Sequence, residues 1–234
     1  MRARSDVVMF AGPTLASSAR ARTLATGFDV RPPIKRDDVE KLVASRARPG
    51  TLAIVDGIFH EALAVGHAEI RDAVGAGWNV WGVSSMGAIR AREMSSLGVN
   101  GFGEVFARYG GADDFQDDEV ALLHEATPPY KALTEPLVHL REAIDHLVRA
   151  RLVSRAVARV VVRELKSRWY GERTIRGTCD LFARQAVPVD TIRRELSAFD
   201  RFRLKAIDLE RFLDEKPFDR VAGNHEPRTP PRRR

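Results

Sequence analysis

The sequence has one cysteine, Cys179, in 234 residues. A single thiol excludes an internal disulfide and a multi-cysteine metal site, and a reducing cytoplasm is the simple expectation. No apolar run approaches the ~20 residues of a membrane span, so no membrane partner is expected. The opening Met1-Arg2-Ala3-Arg4-Ser5-Asp6 leads into four apolar residues before Gly12-Pro13, too short for a signal peptide. A Walker A motif and a complete dinucleotide fingerprint are both missing, and no cofactor or resident metal is expected. Zinc-finger spacing and an interleaved aromatic stripe are missing too, which leaves nucleic acid as the weakest reading of the basic charge.

That charge is unevenly placed. Residues 151–234 hold 21 Lys+Arg against 12 Asp+Glu, a net +9, whereas residues 1–150 hold 17 against 20, a net −3. Arg151, Arg155, Arg159 and Arg163 recur every four residues among the apolar positions between Leu152 and Val162. That spacing is the solvated face of an amphipathic helix first, and a surface for an acidic partner second.

Strand and helix signals alternate in the first half. Val7–Phe10, Leu52–Val55 and Asn79–Val83 read as short buried strands, and the stretches Thr14–Ala25, Asp38–Arg46, Val65–Gly75 and Met86–Leu97 read as helices. Such alternation implies right-handed crossovers and a mainly parallel, Rossmann-like α/β core. From Lys131 onward only helical periodicity is present, over Glu135–Lys166 and again over Asp190–Leu213. The expected organisation is an α/β core over 5–126, a helical C-terminal region over 127–222 and a disordered basic Pro/Arg tail over 223–234.

Ligands of such sheets bind beyond the carboxyl ends of the strands. Three strand ends carry unusual residues: Gly12-Pro13-Thr14, Asp56-Gly57-Ile58-Phe59-His60 and Ser84-Ser85-Met86-Gly87. The last is a strand–serine–helix turn like the nucleophile elbow, with Val83 where the first elbow glycine would stand. Its bland reading is a serine that caps the helix. Arg90 and Glu93 follow, either as a surface ion pair or with Arg90 facing an anionic ligand. Asp56 is a strand-end carboxylate suited to chemistry, or half of a turn-forming Asp-Gly pair. His60, His67 and Glu69 could supply a base or ligand. Asp117-Asp118-Glu119 is read as the acidic first turn of a helix over Val120–Glu125, with a magnesium site as the sharper alternative.

The ordered set Gly12-Pro13-Thr14-Leu15, Pro32-Pro33, Asp56-Gly57-Ile58-Phe59, His67 with Glu69, Ser85-Met86-Gly87-Ala88 with Arg90 and Glu93, and Asp117-Asp118-Glu119-Val120-Ala121 with His124 resembles the TfuA-like core domain, from about Val7 to about Ala126. The resemblance implies an accessory protein of a YcaO-type ATP-dependent enzyme in backbone thioamidation of a ribosomally synthesised peptide or protein. The family name is tied to maturation of the peptide trifolitoxin. Implied partners are the YcaO enzyme, the precursor peptide through that complex, and a thiocarboxylated sulfur-carrier protein whose hydrolysis would release sulfide. The catalytic set it implies is Asp56, Ser85, Arg90, Glu93 and His67, with Gly12, Thr14, Gly57, Met86, Gly87, Asp117 and Asp118 binding ligand. Two positions depart from the family pattern: His67-Ala68-Glu69 where relatives read His-Lys-Glu, and Arg92 where they have alanine.

Persulfide relay needs a reactive thiolate, and Cys179 lies outside the resembling core. Thiocarboxylate hydrolysis needs an oxyanion site with a nucleophile or base, which the elbow amides, Ser85 and Asp56 could supply. The alternatives are a non-catalytic anion-binding module that docks on and activates a YcaO partner, and, more weakly, an independent serine hydrolase.

Overall fold

A computed structural model describes residues 6–58, 62–111 and 115–221. Phe59, His60 and the tail over 223–234 lie outside the described residues. In chain order the α/β part runs β1 (Val7–Phe10), α1 (Pro13–Ala16), α2 (Ala19–Leu24), β2 (Asp29–Arg31), α3 (Asp38–Ser45), β3 (Thr51–Ile54), α4 (His67–Gly75), β4 (Asn79–Val83), α5 (Met86–Glu93), β5 (Asn100–Phe102) and α6 (Glu104–Arg108). Helices α7 (Leu137–Arg149), α8 (Arg155–Ser167), α9 (Ile175–Arg184), α10 (Val189–Leu196), α11 (Leu204–Glu215) and α12 (Pro217–Val221) follow. None of the helices described is long and apolar enough to cross a membrane.

The five strands form one parallel sheet in the order β2-β1-β3-β4-β5. This is a doubly wound order whose switch point lies between β1 and β3. Strand alternation sends Val8, Phe10, Leu52, Ile54 and Val80 to one face, under α3, α4 and α5. It sends Met9, Ala53, Val55, Trp81 and Val83 to the other, where Ala21 and Ala25 meet Leu209, Phe212 and Leu213 of α11. The chain therefore leaves the sheet, builds a second core among α7–α10, and returns through α11 to cover the sheet's open face.

Local chemistry sets several boundaries. The stretch Thr14–Ala25 is two helices, because Ser18 interrupts the first and caps the second by accepting from the Ala21 N–H at 2.9 Å. The Glu135–Lys166 periodicity divides at Arg151, which is left-handed at φ 60°, and Ser154 then caps α8. The expected helix over Val120–Glu125 does not form. Its backbone groups have tertiary partners instead: Val120 O accepts from Lys205 Nζ, Leu123 N–H donates to Thr134 Oγ1, and Leu123 O accepts from Leu133 N–H. The acidic segment before it, Asp117–Glu119, makes a short 3-10 turn.

Helix α5 lies against the sheet backbone to backbone. A Cβ on Gly87 would fall 1.8 Å from Ile54 O, and one on Gly82 would fall 2.0 Å from Gly87 O. Both glycines are therefore required by close approach, and they fix where the Ser84-Ser85 turn stands. Gly87→Ala should destabilise the fold by at least the ~1–3 kcal/mol typical of overpacking, because the obstacle is backbone. Urea unfolding measures this; a midpoint equal to wild type would show that α5 can slide away from β3.

Candidate functional site

Asp56 follows β3 and Gly12 follows β1, so the two meet at the switch point. Asp56 Oδ2 accepts from the Gly12 and Thr14 N–H groups at 2.8 and 2.9 Å, and Oδ1 accepts from Thr14 Oγ1 at 2.5 Å. The carboxylate is 1% exposed. It is thus more than half of an Asp-Gly turn: it holds the β1 loop shut from across the sheet. A side chain on Gly12 would strike Pro33 at 2.5 Å, so the Pro32-Pro33 pair and the glycine define the loop together.

At the end of β4, Ser84 is left-handed at φ 67° and donates its hydroxyl to Lys205 O at 2.8 Å. Ser85 occupies the capping position of α5 yet makes no capping hydrogen bond. The capping reading therefore fails, and a buried hydroxyl is left facing a pocket at the strand ends. The turn's amides do not all converge there, since Ser85 N–H donates to Val83 O and Gly87 N–H to Val55 O. Met86 packs under Gly57, where a Cβ would meet its side chain at 2.7 Å.

The pocket brings Asp56, Gly57 and Ser85 together with Lys205, His124 and Tyr170, around a free volume of about 20 Å³, room for a water-sized group. Lys205 comes from α11 and is 2% exposed. Its Nζ donates to Val120 O at 3.0 Å and lies 3.9 Å from Asp56 Oδ1. Burial lowers its proton affinity from the ordinary 10.5, and the charges of Asp56 and Glu135 oppose that shift. Sequence reasoning missed this residue, although a signal exists. Lys205, Leu209, Phe212 and Leu213 form one buried helical stripe, with a lysine where the apolar pattern asks for an aliphatic residue.

A second polar set braces Lys205. His139 Nε2 accepts from the Lys205 backbone N–H at 3.3 Å, so its proton sits on Nδ1, which donates to Glu135 Oε2 at 3.0 Å. Arg203 grips the other oxygen of Glu135 at 2.6 and 3.1 Å. Burial holds His139 down at about 4 despite its carboxylate neighbour.

The other sequence candidates assemble elsewhere. Arg90 donates to Val65 O at 3.1 Å and to Glu93 at 2.6 Å, and His67 Nε2 meets the same Glu93 oxygen at 2.9 Å. Asp117 lies within the field of that cluster, and partial burial together with Glu93 raises its pKa. Asp118 Oδ2 is held by Arg173 at 2.6 Å while its Oδ1 is buried without a hydrogen-bond partner, and Glu119 is held by Arg141 at 2.8 to 3.1 Å. Glu69 caps α3 and α4, accepting from Asp37, Val39 and Gly66 N–H groups. Cys179 is buried in the α7–α10 core, which pushes its thiol up.

The family model described as TfuA-like protein matches residues 56–174, beginning at Asp56 and taking in the elbow, the arginine-bound carboxylates and α7–α8. It ends before Lys205. No curated protein matches the chain.

His139 sets a test of the bracing network. Its folded value near 4 lies below the ordinary 6.5, so the folded state binds fewer protons between those values. Its contribution is present above pH 6.5 and is lost as pH falls toward 4, by roughly 3 kcal/mol in all. Asp208, raised to about 6 by burial, works in the opposite direction over much of that window. The informative quantity is therefore the stability difference between wild type and His139→Gln, which should shrink on going from pH 7.5 to 5. Denaturant unfolding at several pH values measures it, and a constant difference would mean that His139 is not held neutral.

Proposed function

The chain belongs to the TfuA-like protein family, and from that premise we propose that it is the accessory protein of a YcaO-type ATP-dependent enzyme, releasing sulfide for backbone thioamidation of a ribosomally synthesised peptide. The observation that supports this reading is a buried serine hydroxyl without a capping bond, sharing one pocket with a buried lysine of lowered proton affinity. Serine paired with lysine is an established way to activate a hydroxyl. The substrate is the thiocarboxylated C-terminus of a sulfur-carrier protein.

In the proposed sequence, neutral Lys205 takes the Ser85 proton as Oγ attacks the thiocarboxylate carbon. The C–S bond breaks, and sulfur leaves as hydrosulfide with the proton that Lys205 returns. Water then cleaves the acyl-serine to give a carboxylate, a proton and free Ser85. Asp56 acts as a positioning residue: its oxygens accept from Gly12 and Thr14 and its charge lies 3.9 Å from the Lys205 amine, so it holds the loop and biases the amine rather than serving as the base. Arg90 is engaged by Val65 and Glu93 in a separate cluster and takes no part in this step.

A second reading is a non-catalytic module that docks on YcaO and activates it. It is favoured by the small pocket and by the two elbow amides already bonded within the fold.

Thioamidation by the YcaO complex, followed by mass spectrometry, separates the two. Ser85→Ala should fold normally and lose on the order of a hundredfold or more of activity, and excess free sulfide should restore it. No rescue with an intact complex would support the activating role, and wild-type activity without added sulfide would remove Ser85 from the chemistry.

The lysine predicts a pH signature. Hydrolysis of a synthetic thiocarboxylated peptide should rise with pH through a value below 10.5, as Lys205 loses its proton. Asp56→Asn keeps the shape but removes the charge that raises Lys205, so the rising limb should move to lower pH. An unmoved limb would mean that another group is the base.

A further inference from the structure

The α7–α8 pair carries a surface that the pocket chemistry does not use. A groove of about 640 Å³ runs between the two helices. Its floor is aliphatic, from Ile144 and Val148 of α7 and Ala158 and Val162 of α8. Its rim is cationic, and Asp145 is its one carboxylate.

The rim arginines differ in what holds them. Arg141 is engaged by Glu119 and Arg149 by Glu142. Arg155, Arg159 and Arg163 are exposed and form no ion pair among the described residues. Like charges at i and i+4 destabilise a helix, and Arg155 also stands at the first position of α8, where the helix dipole disfavours a cation. The fold accepts these costs without compensating them internally. The solvated-face reading explains why the arginines are exposed, but it does not explain a row of unpaired cations along an apolar trough.

We propose that this groove docks an acidic amphipathic helix of a partner protein. Aliphatic side chains of that helix fill the trough, and carboxylates spaced one turn apart meet the arginine row. The match is in spacing as well as sign, because carboxylates four residues apart on the partner helix repeat every ~6 Å, as the three arginines of α8 do. The aliphatic floor favours such a helix over nucleic acid, whose phosphates gain nothing from it. The proposal does not depend on how the Asp56 pocket works.

The test uses the full chain and a fluorescently labelled helical peptide with leucine at i, i+3, i+4 and i+7 and glutamate elsewhere. Two further probes are the same peptide with its leucines changed to serine, and a single-stranded DNA oligonucleotide. Anisotropy should show binding of the leucine peptide that weakens roughly tenfold or more with added salt. It should weaken by a similar factor in the Arg155→Gln/Arg159→Gln/Arg163→Gln variant, and by several fold in Val162→Ser. Melting curves check that both variants remain folded, and the exposed glutamines keep the test available if Val162→Ser does not. Equal binding of the serine peptide, tighter binding of the oligonucleotide, or unchanged affinity in the triple variant would each overturn the proposal.

Discussion

The architecture depends on one buried contact between opposite charges, Asp56 at the end of β3 and Lys205 on α11. Both groups are buried, and removing one partner of such a pair typically costs roughly 3–5 kcal/mol because the other charge is left uncompensated. The pair is also selective in position. Asp56 is already fixed by the loop after β1, so its charge marks one spot on the sheet's edge. The C-terminal helix can bury Lys205 there in only one register, and that register places Leu209, Phe212 and Leu213 over the sheet. The pocket is therefore completed by a helix that the chain supplies some 150 residues after Asp56.

Around that contact, polar groups are buried in satisfied chains rather than singly. Lys205 gives its amine to Val120 O and its amide to His139, which gives its proton to Glu135, which is held by Arg203 two residues before Lys205. Three residues after Lys205, Asp208 accepts from the Glu104 and Val105 N–H groups and so caps α6. One short segment of α11 thus ties together the sheet edge, the helical bundle and α6. Networks of this kind are costly when half satisfied, so a change at one member should be felt in all three places.

Much of the fold was legible from residues. The three inner strands, the glycine-bounded helices and the elbow follow from period, length and turn chemistry, and their parallel pairing follows from the alternation. The edge strands Asp29–Arg31 and Asn100–Phe102 were not legible, because three residues with mixed polarity carry no period. The helix expected over Val120–Glu125 failed for a different reason. Its local pattern was adequate, but a lysine and a threonine distant in sequence claimed its backbone. Within the site, the three strand ends were readable because topology alone makes them neighbours. Lys205 was not, since its meaning depends on where a remote helix packs. The grouping of Arg90 and Glu93 with Ser85 was reasonable from one helix, yet Arg90, a turn and more beyond Ser85, reaches Val65 and a separate cluster with His67 of α4.

The placement of the single thiol bears on the kind of sulfur chemistry proposed for this chain. Carrying sulfur as a persulfide requires a thiolate that both donor and acceptor can reach. Cys179 is buried in the α7–α10 core with its thiol pushed up, far in the fold from the strand ends in both sequence and layer. A hydroxyl, by contrast, needs no change of oxidation state to release sulfide from a thiocarboxylate: carbon exchanges sulfur for oxygen, and only a proton has to be moved. A buried amine that shares a pocket with a hydroxyl is suited to that single task. On the proposed function the pocket would serve release rather than carriage, because the side chains it gathers include a hydroxyl and an amine and no thiol.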